Sequence, residues 1–458
     1  AFDVYLMDAY EDKWFAIWPP GWPIVLSIGA FFETYWLINP LLAACSILLF
    51  HFFVRSLTDR GTANLATLLI ATSPWYLTTS ASMMSHTLVY CLVLAAWGLL
   101  IRARQQPVII ISFAAGALMG FVFLARPLDG VVIGTLTGIW TLTFLATRQQ
   151  WTTPLGYGTG CIIIGGLVFP YNAYLTGNPL TPPLTTYMNR IWGEGANRLG
   201  FGPDIGPTPG WGEVDPFPGH SPMEVLVLSQ QMFYSLNFEL FGWAIGSVAF
   251  ALICLFWGKW TKLIIAMLSI IICTIGAYSL FWYASAYYIG TRYWFLIIVP
   301  MILLSTLGII LCARKLNELF PNTFMAERMG AGIGFLCLCS ILVYTSWVSF
   351  IKYPEFRNRH SEYATLAEQD ILKNSLVFVS SDNPFEYENA FWLNDFSDGS
   401  QRPLFARDLG YTSNLQVASA YPNRQIYFID GRSSTRQHIH ISRGPISVDQ
   451  LVPAPAQD

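Results

Sequence analysis

The chain has 458 residues, of which 54% are hydrophobic and only 12% charged, with a formal net charge of -3 and a mean hydropathy of +0.46. So small a net charge gives no electrostatic footprint for a nucleic-acid partner. Such apolarity points into a membrane. No Walker loop, dinucleotide-binding glycine pattern or zinc-protease motif is present.

The first stretch, residues 1–36, reads as a loop outside the membrane. It carries four acids, Asp3, Asp8, Glu11 and Asp12. A carboxylate near a membrane surface can take a proton from an attacking hydroxyl as a general base; four acids in a polar loop are also what a solvated loop contains. Glu33 is a further, less well placed acid. The run Trp18-Pro-Pro-Gly-Trp-Pro23 reads as an interfacial belt broken by turns, so residues 22–35 are expected to form an amphipathic or re-entrant segment.

Apolar runs then recur at about the 17–25 residue length that crosses a hydrocarbon core. They lie roughly at 37–54, 64–80, 86–102, 108–125, 128–147, 155–172, 240–257, 263–283, 292–312 and 330–351, about ten spans in all. Short basic hinges separate them: Arg55 to Arg60, Arg102 and Arg104, Arg148, Lys259 and Lys262, Arg314 and Lys315. Under the positive-inside rule these hinges are cytoplasmic. The other connections are then external: residues 1–36, the Arg126 turn, the loop 173–239, the stretch from Tyr283 to Arg292 and the tail from 352. An external start with no export signal before it implies a span upstream of Ala1, an eleventh.

The loop 173–239 is too long for a mere connector. It repeats turn signals, in Thr176-Gly-Asn-Pro-Leu-Thr-Pro-Pro183, Gly200-Phe-Gly-Pro-Asp-Ile-Gly-Pro-Thr-Pro-Gly210 and Asp215-Pro-Phe-Pro-Gly-His-Ser-Pro222. Such Pro and Gly density is expected to fix a loop shape without secondary structure. His220 within it is either a ligand contact or a structural hydrogen bond. From about Ser361 the composition turns polar. Tyr363–Lys373 reads as a helix, and Ser375–Ser380 and Gln425–Ile429 as short buried strands, so a small external α/β domain is expected over 352–458. The eight cysteines all fall in apolar spans, where they behave as small hydrophobes rather than disulfide or zinc partners.

Ionisable residues at membrane depth are costly, about 2.5–3.5 kcal/mol on insertion scales, and mark function by default. Arg126, in Leu124-Ala-Arg-Pro-Leu-Asp129, Arg292, in Gly290-Thr-Arg-Tyr293, and His86, at the start of a span, all fall on the external level. The planar guanidinium suits an anionic group, and two arginines beside lipid-facing helices suggest a lipid phosphate. Alternatively Arg126 is a snorkelling anchor paired with Asp129, and His86 a satisfied polar residue of a helix bundle.

Motifs in order along the chain carry a resemblance. They are Trp18-Pro-Pro-Gly-Trp-Pro23, Asn39-Pro-Leu-Leu42, Ser73-Pro-Trp75 with Ser85-His86, Ala125-Arg-Pro127, Tyr171-Asn172 with Gly177-Asn-Pro179, Gly200-Phe-Gly202, Pro218-Gly-His220, Leu240-Phe-Gly-Trp243 and Gly290-Thr-Arg-Tyr293. Ala406-Arg-Asp-Leu-Gly410 and Tyr421-Pro-Asn-Arg424 follow in the tail. On these the chain resembles the polytopic GT-C glycosyltransferases, which include protein O-mannosyltransferases and the lipid A aminoarabinose transferase. It is most similar to bacterial proteins of the dolichyl-phosphate-mannose-protein mannosyltransferase type, glycosyltransferase family 39. The resemblance implies an inner-membrane enzyme with a periplasmic tail domain, moving a sugar from a polyprenyl-phosphate-linked donor to an acceptor hydroxyl with inversion.

In the family a carboxylate of the first external loop is the base, a role nearest to Asp3 and then Asp8, and an arginine near a late span holds the donor phosphate, a role Arg292 matches, with Arg126 beside it. His86, Tyr293 and His220 are the expected pocket residues. Several relatives carry an acid where this chain has His86. Some members of the wider fold use a divalent metal, for which the sequence offers no clear ligand set. The acceptor is unspecified: protein, glycan or lipid. The alternative is a non-catalytic membrane subunit that scaffolds a complex of protein partners. A lipid-linked-sugar flippase predicts charges strung through the spans, whose middles are instead nearly free of them.

Overall fold

In a computed structural model the chain divides into two compact units, one of residues 17–349 and one of residues 1–16 with 350–458. The structure describes residues 2, 4, 6–148, 150–207, 219–284, 290–321, 324–353, 362–382, 384–397, 399–432, 434 and 438–451.

The larger unit is helical. Its helices are α1 (Gly21–Phe31), α2 (Ile38–Leu57), α3 (Arg60–Ala71), α4 (Pro74–Ala81), α5 (His86–Gln105), α6 (Ile109–Ala125), α7 (Pro127–Arg148), α8 (Thr152–Gly165), α9 (Val168–Thr176), α10 (Pro183–Trp192), α11 (Pro222–Glu239), α12 (Ala249–Trp257), α13 (Lys262–Tyr278), α14 (Ile298–Leu319) and α15 (Met325–Cys339). A 3₁₀ turn, Arg292–Ile297, leads into α14, and π-helical turns extend α15 towards Lys352. Among the described residues six helical stretches are long and apolar enough to cross a membrane: Tyr35–Leu57, His86–Gln105, Pro127–Phe144, Thr152–Thr176, Arg292–Leu319 and Met325–Lys352. The apolar helices α6 and α13 have 17 residues each, the lower end of the spanning range. The stretches through α5 and α14 are mostly buried in the unit, whereas α2 and α15 present most of their apolar surface outward, as lipid-facing helices do.

Three expected spans are not single helices: 155–172 divides between α8 and α9 at Gly166 and Leu167, and two others break more sharply. The stretch 64–80 breaks between α3 and α4, where Ser73 caps α4 by accepting from the Tyr76 N–H and donates to the Leu240 carbonyl at 2.5 Å. Pro74 at the first helical position cannot continue the preceding helix. The stretch 240–257 is helical only over α12, because the chain turns first through Gly242 and Gly246 at φ 64° and 87°, a region glycine enters without penalty.

The loop expected to lack secondary structure holds α10 and the 18-residue α11. A capping box starts α11: Ser221 Oγ accepts from the Glu224 N–H, and the Glu224 side chain accepts from the Ser221 N–H. Leu228, Met232 and Leu236 then fall at four-residue spacing and are buried, which gives the helix its core-facing stripe. Elsewhere small residues let backbones touch. A Cβ on Gly116 of α6 would lie 1.9 Å from the Tyr157 carbonyl of α8, and one on Gly160 would lie 2.3 Å from the Phe113 carbonyl, the close approach typical of membrane helix pairs.

The smaller unit is α/β. The hairpin β1 (Met7–Tyr10) and β2 (Lys13–Ala16) pairs antiparallel. After it come α16 (Glu362–Ala367), β3 (Ser375–Ser380), α17 (Pro384–Phe391), β4 (Leu404–Arg407), α18 (Tyr411–Ala420), β5 (Gln425–Asp430) and β6 (His440–Ile446). The sheet order is β4-β3-β5-β6, parallel except for the edge strand β6. Central β3 is buried along nearly its whole length because both faces are covered: Val377 and Val379 meet one cluster, Leu376 and Phe378 the other. The two expected strands are present, and β4 and β6 join them. The helix expected over Tyr363–Lys373 is α16 followed by a separate 3₁₀ turn, Asp370–Leu372. The hairpin belongs to this unit: Val4 enters its core and Trp14 meets Phe391 edge-on at 5.5 Å.

Candidate functional site

Five helix ends meet at one end of the larger unit. At the Ala125-Arg-Pro127 junction the proline removes a donor and forces its predecessor out of helical geometry. Arg126 is accordingly extended, at φ -146° and ψ 92°. Asp129 lies in the first turn of α7, where the helix dipole favours a carboxylate. His86 opens α5, Tyr278 closes α13, and Arg292 opens the turn before α14. The same helices carry Arg102, Arg104, Arg148, Lys262, Arg314 and Lys315 at or near their other ends, so this site and the basic hinges lie at opposite ends of the bundle.

Every nitrogen group of Arg126 is engaged. Nε donates to Asp129 Oδ2. Nη2 donates to Tyr278 Oη at 2.8 Å, and Nη1 donates to His86 Nε2 at 2.8 Å. Tyr278 Oη in turn donates to Asp129 Oδ1 at 2.9 Å. His86, Asp129 and Tyr278 are 4–5% exposed and the Arg126 side chain 14%, so the network is largely shut away from solvent, and one charge of each sign balances within it. The anchor pairing of Arg126 with Asp129 is thus present, with Tyr278 as a third member that its place in an unbroken apolar run concealed.

Arg292 is half-buried. Its guanidinium carbon lies 5.1 Å from the Tyr293 ring centre and 5.8 Å from that of Tyr283, and Nη2 reaches Tyr293 Oη at 3.4 Å. Tyr293 also meets the Tyr278 ring, at 5.7 Å, which joins Arg292 to the Arg126 network. Both arginines lie within electrostatic reach of His86. The turn that presents Arg292 is pinned to α11, where Thr291 Oγ1 donates to the Met232 carbonyl at 3.0 Å. Glu239, at the end of α11, sits so close to Gly290 that a Cβ there would lie 1.7 Å from its Oε2. This carboxylate escaped the sequence reading, although it is the only Asp or Glu between Glu224 and Glu318.

His220 takes a bracing position. Its Nδ1 lies 3.0 Å from Glu224 Oε2, its Nε2 lies 3.0 Å from the Ser279 carbonyl, and its ring stacks on Phe201 at 5.3 Å. Backbone bonds with Gly202 in both directions complete the brace. It borders a cavity of about 10 Å³, room for one water, that Tyr278 also lines. His220→Ala is expected to leave Glu224 and the Ser279 carbonyl without this buried partner, at about 1–3 kcal/mol, read as a lowered thermal midpoint of the detergent-solubilised protein.

Two acids of the first loop are the expected base. Asp8 stands in β1 of the smaller unit, buried, with Oδ1 accepting from the Ala9 N–H at 2.8 Å; Asp3 lies outside the described residues. Among the described residues no group of three or more His, Cys, Asp or Glu is disposed to hold a metal ion. In the smaller unit the side-chain hydrogen bonds of Arg432 hold the Asp430 carboxyl below its usual range.

Apolar helices of spanning length, with a buried ionic network at one end, define a multi-pass membrane protein. No protein-family model matches the chain, and no curated protein matches it. Among solved structures it is similar to the oligosaccharyltransferase of Archaeoglobus fulgidus, crystallised with an acceptor peptide containing the NVT sequon tethered via a disulfide bond. That match has 13% identity and a TM-score of 0.38, and covers 93% of this chain and 62% of the other. The chain therefore spans less than two thirds of the length of that structure.

Proposed function

We propose that the protein is a membrane glycosyltransferase that moves a sugar from a polyprenyl-phosphate-linked donor to an acceptor hydroxyl at the external, periplasmic face of a bacterial inner membrane, with inversion. The observation that carries this reading is Arg292: a half-buried guanidinium between two tyrosine rings at the mouth of a spanning helix, beside an Arg126 already neutralised by Asp129. Such a site favours a phosphate at the depth of a lipid headgroup, and the sequence resemblance gives the donor its class.

In the reaction a carboxylate takes the acceptor's hydroxyl proton, the part that the sequence resemblance gives to the first-loop acids Asp3 and Asp8. The acceptor oxygen bonds to the anomeric carbon from the face opposite the phosphate. The bond from carbon to phosphate oxygen breaks, and its electron pair leaves with the lipid phosphate. Arg292 stabilises that charge, an interaction that strengthens as charge develops. Arg126 shapes the pocket through His86 and Tyr278 rather than through a guanidinium edge of its own. Tyr293 and His220 belong to the walls around it.

The test is the purified full chain in vesicles with a panel of undecaprenyl-phosphate monosaccharides, assayed for release of undecaprenyl phosphate and capture of the sugar. Release from at least one donor is expected. If every donor stays intact while the protein co-purifies with fixed partners, a scaffolding subunit replaces the enzyme.

A further inference from the structure

His86 has a defined tautomer. Arginine has donors only, so the contact from Arg126 Nη1 makes His86 Nε2 the acceptor. The ring hydrogen of the neutral imidazole then sits on Nδ1. His86 is 5% exposed, and its buried Nδ1 makes no well-aligned hydrogen bond among the described residues, its contact with the Arg292 backbone falling short of that geometry. Phe295 closes one side of the ring, edge-on at 5.8 Å. A buried N–H left unmade is costly, whereas the other two partners of Arg126, Asp129 and Tyr278, also bond to each other.

We infer that His86 Nδ1–H is a neutral hydrogen-bond donor to an oxygen of the phosphate bound at Arg292. This rests on the reading of Arg292 as the phosphate holder. The division of labour is physical. Arg292 contributes charge. His86, whose lone pair is occupied by Arg126, contributes a directed donor whose hydrogen is fixed on one nitrogen before the ligand arrives. Arg126 is then a positioning residue: it sets the tautomer and never needs to touch the ligand. Phosphate oxygens are the shared chemistry of a lipid headgroup and of free phosphate, and the experiment separates the two.

Two substitutions divide the ring's functions. In His86→Asn the side-chain amide N–H lies near the position of Nδ1 but cannot reach Arg126. In His86→Gln the amide oxygen reaches Arg126 and nothing donates at Nδ1. Binding of undecaprenyl phosphate to the full chain in detergent is measured alongside the thermal midpoint. His86→Gln is expected to weaken binding on the order of tenfold or more, the scale of one hydrogen bond to a charged group, and His86→Asn to stay within about threefold of the parent. Wild-type binding by His86→Gln, or equal losses in both variants, overturns the inference. If Arg292→Ala loses binding while His86→Gln does not, only the inference falls; if the parent protein binds no undecaprenyl phosphate, the Arg292 reading falls and takes the inference with it. Inorganic phosphate that binds as well as the lipid, with the same dependence on His86, keeps the donor and assigns it a free anion. Should His86→Gln fail to fold, ¹⁵N-histidine labelling of the parent reads the same bond: a protonated Nδ1 whose resonance moves on addition of undecaprenyl phosphate supports it, and one that does not move overturns it.

Discussion

Arg292→Ala is expected to lower the rate of sugar release from undecaprenyl-phosphate donors by about 10²–10³-fold, the usual consequence of deleting one preorganised stabiliser of developing charge. Folding should survive. Arg292 is only half-buried, and the two tyrosine rings beside its guanidinium contribute about 1–2 kcal/mol of cation–π stabilisation. Arg292→Lys sharpens the test, because it keeps the charge and discards the planar fork. Its rate should fall between those of Ala and the parent, with weaker binding of undecaprenyl phosphate as well. Initial rates and thermal midpoints measured on the same preparations separate chemistry from stability. A full rate in Arg292→Ala at unchanged stability would remove the phosphate assignment. Phe295 and Trp294, which follow in the same turn, are almost fully buried, so the loss of the arginine head leaves the packing of the turn itself in place.

The sequence exposed this site unevenly, for physical reasons. Arg126, Arg292 and His86 stood out because each is a polar group in an apolar run, and a hydrocarbon solvent makes such placements expensive. Asp129 was visible as a partner because it lies one helical turn from Arg126. Tyr278 was not, because a tyrosine at the end of an apolar helix reads as an interfacial anchor, and its role depends on α13 approaching α7, which no local pattern states. Glu239 was hidden in a segment taken as loop. The capping box Ser221–Glu224 and the four-residue spacing of Leu228, Met232 and Leu236 were there to be read, but the Pro and Gly density just before Ser221 outweighed them.

The same contrast holds for the fold. Ser375–Ser380 was legible as a strand, since a central parallel strand is apolar on both faces; its neighbour β4 is only four residues long and β6 is mostly exposed, so neither carries a strong pattern. The sequence offered Arg126 both as a phosphate ligand and as an anchor paired with Asp129, and the structure shows its three nitrogen groups bonded to Asp129, Tyr278 and His86.

That commitment sets the largest expected loss of stability. Asp129→Ala strands a buried guanidinium and removes the acceptor of Tyr278 Oη. Breaking a buried pair by deleting one partner costs about 3–5 kcal/mol, a large share of a typical stability margin. The thermal midpoint of the solubilised protein should fall by many degrees, and Arg126→Leu alone should also fall, with Asp129 left as the uncompensated charge. The double substitution Arg126→Leu with Asp129→Leu is expected to recover most of the loss, because an apolar pair of similar volume avoids the desolvation that the ion pair must overcome. Recovery of stability without recovery of undecaprenyl-phosphate binding would show that the network is kept for the tautomer it imposes on His86 and not for the energy it contributes. Recovery of both would reduce the network to a structural anchor. If Asp129→Ala melts like the parent, the ion pair does not hold the five helix ends together, and the turn that presents Arg292 is held without it, through contacts that include the Thr291 bond with α11.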